Sequence, residues 1–144
     1  MKISKICSEI INYSFYILFF AVPLIWLPVT SELFEFNKMI LVYLLTTIIV
    51  TAWLIKGLSE KEFKIRRTPL DIPIILFLTA NILSTIFSLD PHTSIYGYYG
   101  RWNGGLLSTV CYIFLYYSLV SNSDKRQVFY YLWTTLISGV LVSI

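Results

Sequence analysis

The chain is short of charge. Only 13% of its 144 residues are Asp, Glu, Lys or Arg, against roughly 25% in a water-soluble domain. Apolar residues make up 57%, and the mean hydropathy is +0.73. This composition excludes an ordinary soluble domain. The charges cluster between long apolar runs, which is the pattern of a polytopic membrane protein. Histidine is reduced to His92 and cysteine to Cys7 and Cys111. One histidine and two distant cysteines supply no metal-ligand spacing, so neither metal nor cofactor is expected. Cys7 falls in a charged flank and Cys111 inside an apolar run, so two free thiols are expected. The net charge of +3 does not point to nucleic acid, because it arises from lysines and arginines at the ends of apolar runs. No phosphate-cradling glycine motif, carboxylate pair, nucleophile elbow or catalytic triad is present.

What is there is apolar helix. The expected fold is an all-α transmembrane bundle of about five spans, near 10–27, 39–58, 70–88, 106–120 and 128–144, forming one N-terminal transmembrane region. Lys2 and Lys5 precede a long apolar run with no small-x-small cleavage site, which reads as an uncleaved first span. Pro23 lies inside that span, Pro28 ends it, and Trp26 falls where an interfacial aromatic belongs. In the second span Thr47, Thr51 and Ala52 offer a small-residue face for close helix approach. The connection 59–67 is the most charged stretch and reads as a topology signal, with a lipid-recognition patch as the alternative. Thr68 or Asp71 caps the third span, which has Pro69 at its first helical position. Asn81 is that span's polar mid-point and is expected to face protein. The last run is still apolar at Ile144, so the chain reads as a piece of a longer protein.

Charge sets the orientation. With the N-terminus inside, Lys2, Lys5, Lys56, Lys61, Lys64, Arg66, Arg67, Lys125 and Arg126 are cytoplasmic, nine of the eleven Lys and Arg residues. Lys38 and Arg101 are outside. The positive-inside rule is then satisfied at every loop, and a multi-pass protein of the cytoplasmic membrane is expected. The segment 89–105 becomes an outer loop that holds His92 and four of the six glycines. Asp90-Pro91 reads as a helix stop and turn initiator. His92 is a general base by residue type, without a clear acid partner. Tyr98 and Trp102 suit the membrane interface or stacking on sugar rings. Arg101 presents a planar fork that fits phosphate or carboxylate. A salt bridge to Asp90, or contact with lipid phosphate, is its plainer alternative.

Three stretches together resemble bacterial O-antigen ligase/polymerase-like membrane proteins. They are Phe34-Glu-Phe-Asn-Lys38 before the second span, Arg67-Thr-Pro-Leu-Asp-Ile-Pro73 entering the third, and Ser84-Thr-Ile-Phe-Ser-Leu-Asp-Pro-His-Thr-Ser94 followed by Gly97-Tyr-Tyr-Gly-Arg-Trp-Asn-Gly-Gly105. The resemblance implies an all-helical protein of about a dozen spans. It implies transfer of a glycan from an undecaprenyl-diphosphate carrier to an acceptor on the outer face of the membrane. The family's catalytic arginine and histidine are expected in a larger outer loop beyond Ile144, so no catalytic role passes to His92. Arg101 and Lys38 match family positions, so Arg101 is implied to position the carrier's diphosphate and Lys38 to assist, while Tyr98 and Trp102 are further substrate contacts by residue type. The partners implied are the bilayer, the polyprenyl-diphosphate-linked glycan and its acceptor. A transporter or flippase fragment is disfavoured, because the midplanes offer little beyond Asn81 and threonines. A five-span scaffold without catalysis is the other alternative.

Overall fold

The structure, a computed structural model, describes residues 2–25, 35–63 and 65–143. They form six helices and no strand: α1 (Lys2–Leu24), α2 (Glu35–Glu60), α3 (Asp71–Ile86), α4 (Pro91–Tyr96), α5 (Leu106–Asn122) and α6 (Lys125–Ser143). The all-α expectation therefore holds. By length and composition α1 and α2 can cross a membrane. The apolar helices α3 and α5 have 16 and 17 residues, about 24 and 26 Å at 1.5 Å per residue, against a hydrocarbon core of about 30 Å. Trp26, Pro28, residues 29–34 and Lys64 lie outside the described residues.

Hydrogen bonds between helices fix their directions. At one end Ser4 Oγ donates to Glu60 of α2, and at the other Lys38 Nζ reaches the Pro23 carbonyl of α1 at 3.4 Å. Helices α1 and α2 are thus antiparallel. Lys56 Nζ donates to Asn122 Oδ1 at 3.1 Å, which makes α2 and α5 parallel. The Tyr117 hydroxyl donates to Asp71 at 3.0 Å, which makes α3 and α5 antiparallel. Tyr131 and Ser138 bond to Asn12 and to the Phe20 carbonyl, so α6 runs parallel to α1. The packing order across the bundle is α6, α1, α2, α5, α3. Lys5, Lys61, Arg67 and Lys125 gather at one end, hereafter the basic end. Pro23, Lys38 and residues 87–105 gather at the loop end.

Side-chain spacing explains the core. On α2 the buried positions Met39, Val42, Thr46, Ile49 and Trp53 recur every three or four residues, so they form one stripe. Cys7, Ile11 and Phe15 of α1 face it. Tyr131 of α6 inserts its ring between Phe15, Tyr16 and Phe19, with centroids 5.8, 4.8 and 5.6 Å away. Its hydroxyl donates to Asn12 Oδ1 at 3.0 Å. One heptad later Ser138, fully buried, lets α6 close on α1, as small residues do between packed helices in lipid. Ala52 reaches the core, but Thr47 and Thr51 stay exposed and bond to carbonyls of their own helix. The two threonines line the margin of the contact with α1, in a groove they share with Cys7 and Ile10, and the buried contact runs through Ile49, Ala52 and Trp53.

Helix α3, like the short α4, has no buried residue. It rests on α5 and α4. Its entry is tied by two bonds in one direction: Thr68 donates through N to Asp71 Oδ2 at 3.1 Å and through Oγ1 to Asp71 Oδ1 at 2.7 Å. Neither residue is the cap that the sequence suggests: α3 begins at Asp71 with Leu70 as its N-cap and no side-chain cap bond. Pro69 lies in the turn before it, and Thr68 and Asp71 fix that turn to each other instead.

Candidate functional site

The segment 88–105 is not one open loop. It contains the short helix α4, nucleated by the dipeptide that sequence marks as a helix stop. Asp90 caps α4, accepting from Thr93 N at 3.3 Å and from the Thr93 hydroxyl, while Pro91 occupies the first helical position. The Thr93 hydroxyl, and after it the Thr93 amide, hold the Asp90 carboxyl below its ordinary range. Ser88 Oγ bridges Ser94 Oγ at 2.6 Å and Asp90 N at 3.2 Å, which closes the entry.

The exit is a tight turn made possible by glycine. Gly97 ends α4 with φ +89°, and a Cβ there would overlap the Asn103 carbonyl. A Cβ on Gly105 would overlap Gly97 N and the Ile95 carbonyl. The returning chain therefore lies directly on the end of α4. Tyr98 N donates to the Asn103 carbonyl at 3.2 Å, and the Tyr98 carbonyl accepts from Arg101 N and Trp102 N at 3.0 and 3.1 Å. This closed ring of bonds fixes the direction in which Arg101 and Trp102 leave the backbone.

Trp102 carries the strain of the turn, with φ +53°, a conformation costly for any residue with a Cβ. Its surroundings hold it there. Its carbonyl accepts from the Tyr43 hydroxyl of α2 at 2.6 Å. Its ring packs against Phe36 and Tyr96, at centroid distances of 6.3 and 5.5 Å. Arg101 Nε lies 3.8 Å from Glu35 Oε2, with side chains 43% and 48% exposed. The ion pair anticipated with Asp90 is thus made with Glu35, because the Asp90 carboxylate is used by the cap of α4. An exposed pair of this kind contributes about 0–1 kcal/mol, so a stronger anion can compete for the guanidinium.

Of the residues singled out by sequence, Arg101 and Trp102 meet the first turn of α2, and Tyr98 stands exposed on the same loop. Lys38 belongs to that turn too, but its ammonium turns to the Pro23 carbonyl at the end of α1, a favourable place for a cation. His92 is exposed and lies against Tyr96, ring centroids 4.9 Å apart. Glu35, Tyr43, Asn103 and Tyr112 are the residues that sequence reading missed. The Asn103 Oδ1 accepts from Gly104 N at 2.8 Å, and the Tyr112 hydroxyl lies 3.2 Å from it. No local pattern marks Glu35, Tyr43 and Tyr112, since each acts through a partner distant in sequence, whereas the bond from Asn103 to Gly104 is local.

Below Asn103 a groove of about 620 Å³ runs between α3 and α5. Its walls are Ile74, Phe77 and Ile113, and its polar positions are Asn103, Ser108, Thr109, Tyr112 and Asn81. Asn81, expected to face protein, lies in this groove and bonds to the Phe77 carbonyl at 2.8 Å. Among the described residues no three His, Cys, Asp or Glu side chains gather as a metal centre. Compared with protein-family models, curated proteins and solved structures, the chain matches none. The arrangement offers anion recognition by Arg101, flat aromatic faces at Tyr98 and Trp102, and an apolar trough with a polar lip.

Proposed function

We propose that this chain is the N-terminal membrane portion of an O-antigen ligase/polymerase-like glycan transferase, with α1, α2, α3, α5 and α6 as five spans. The basic end would face the cytoplasm, by the positive-inside rule, and residues 88–105 the outer surface of the cytoplasmic membrane. The substrate would be an oligosaccharide linked to a polyprenyl diphosphate. In the reaction an acceptor oxygen bonds to the anomeric carbon as the bond from that carbon to the diphosphate breaks. The part of these residues is binding: Arg101 pairs with the diphosphate, Trp102 and Tyr98 flank the first sugar, and Lys38 adds positive charge to the same end.

One observation carries the reading. The turn 97–105 spends two close glycine approaches and a left-handed tryptophan to hold one guanidinium and one indole at the end of the bundle with few cations. Strain of this kind is retained where the surrounding structure fixes it and concentrates at functional sites. The apolar groove that starts at Asn103 supports it further, since a lipid-linked substrate needs room for its chain beside its headgroup.

The test is Arg101→Ala and Arg101→Lys in the full-length protein, in cells lacking the native gene. Transfer is expected to fall on the order of tenfold or more with alanine, while lipid-linked glycan accumulates. Lysine should recover part of it, because it keeps the charge without the fork. Unchanged surface glycan in Arg101→Ala cells would remove Arg101 from the mechanism.

A further inference from the structure

The basic end holds a second cavity that glycan transfer does not use. It measures about 600 Å³ and opens between α2, α3 and α5. Its walls are Val50 and Leu54 of α2, Ile75 of α3, and Ile113 and Phe114 of α5. Leu54, Ile75 and Phe114 are 46%, 59% and 45% exposed, so the apolar wall is open. Phe63, Ile65 and Arg67 of the connection between α2 and α3 lie at its rim. Phe63 packs on Trp53 at a ring distance of 5.8 Å and lies over Gly57, and Arg66 N donates to Ser121 Oγ of α5 at 3.3 Å. The connection is thereby pinned across the mouth, and Arg67 lines the cavity there. Lys61, Glu62 and Arg66 are exposed on the same connection, so with Arg67 its cations outnumber its acid. The one acid in the lining, Asp71, accepts from Thr68 N, Thr68 Oγ1 and the Tyr117 hydroxyl, so it keeps its charge and offsets part of that of the neighbouring Arg67.

We infer that this cavity is a binding site for an anionic phospholipid of the cytoplasmic leaflet, one acyl chain lying between α2 and α3 and the phosphate meeting Arg67 at the rim. Charge complementarity selects the occupant. An apolar trough alone would accept any lipid, but a guanidinium at its mouth, with further cations beside it, favours an anionic headgroup over a zwitterionic one. The inference rests on the five-span reading, which puts the basic end at the cytoplasmic surface, and not on glycan transfer.

The experiment has two stages. The full chain is first incorporated into vesicles and floated on a density gradient. Chain left in the aqueous fraction overturns the membrane reading and this site with it. Inserted chain is then extracted in mild detergent, titrated with phosphatidylglycerol or phosphatidylcholine, and its bound lipid counted by native mass spectrometry. The expected result is apparent affinity for phosphatidylglycerol about tenfold above that for phosphatidylcholine. Arg67→Gln should erase the preference and Lys125→Gln should keep it. Ile75→Trp, which fills the trough from an exposed position, should lower binding of both lipids with Arg67 intact. Equal affinities in the unaltered chain, a preference that survives Arg67→Gln, or a dimer that binds neither lipid would each overturn the site while leaving the five spans standing.

Discussion

At the scale of single residues, the candidate site depends on a few positions that cannot be exchanged. Gly97 combines φ +89° with a backbone carbonyl where a side chain would begin, so Gly97→Ala must open the turn that aims Arg101 and Trp102. A cost of about 1–2 kcal/mol is expected, read as a lower midpoint of thermal unfolding in detergent, and the proposed function adds weaker glycan transfer. Gly139 provides the comparison, because it is helical and open, with nothing within 4 Å of an added Cβ. Gly139→Ala should leave the midpoint unchanged or raise it. Equal effects from the two substitutions would contradict the close approach at Gly97. The roles of these residues were unevenly legible in the sequence. Asp90-Pro91 announced a local event, and the structure makes it the cap of a helix. The partners of Arg101 and Trp102 were hidden, because Glu35 and Tyr43 lie on α2, and the bond from Tyr43 to Trp102 spans 59 positions of chain. A local pattern carries no trace of such a contact.

At the scale of elements, helices α1, α2 and α6 form the packed half of the molecule and α3 the open half. Tyr131 joins the packed half by its ring and its hydroxyl. Tyr131→Ala should cost about 3 kcal/mol through lost packing, and Tyr131→Phe about 1 kcal/mol through the lost bond to Asn12. Both are measurable as shifts of the unfolding midpoint, and a neutral Tyr131→Ala would mean that α6 does not dock as described. The existence and order of the main helices follow from apolar runs punctuated by charge. Their faces followed less well. Thr47 and Thr51 look like an interface core in the sequence but lie at its margin, exposed in a groove beside Cys7 and Ile10 of α1, while Ile49, Ala52 and Trp53 take the buried positions against that helix. The open half has its own logic: α3 touches only what ties its two ends, which leaves one groove between α3 and α5 and another between α2 and α3.

At the scale of the whole molecule, the alternating helix directions bring Lys5, Lys61, Arg67 and Lys125 to one end, the arrangement that the proposed five-span reading requires. Large apolar side chains are exposed along α3 and α6, among them Ile72, Leu76, Leu132, Leu136 and Val140. Contiguous exposed apolar surface of this extent marks contact with lipid or with another protein. The measurement that tests the central claim most directly is labelling of substituted cysteines with a membrane-impermeant maleimide, in a background where Cys7 and Cys111 are serine. Tyr99, 91% exposed on the loop, and Lys125, exposed at the start of α6, report the two ends. The account predicts that Tyr99→Cys reacts on intact cells and that Lys125→Cys reacts only after the membrane is opened. Labelling of both on intact cells, or of Lys125→Cys alone, would contradict it.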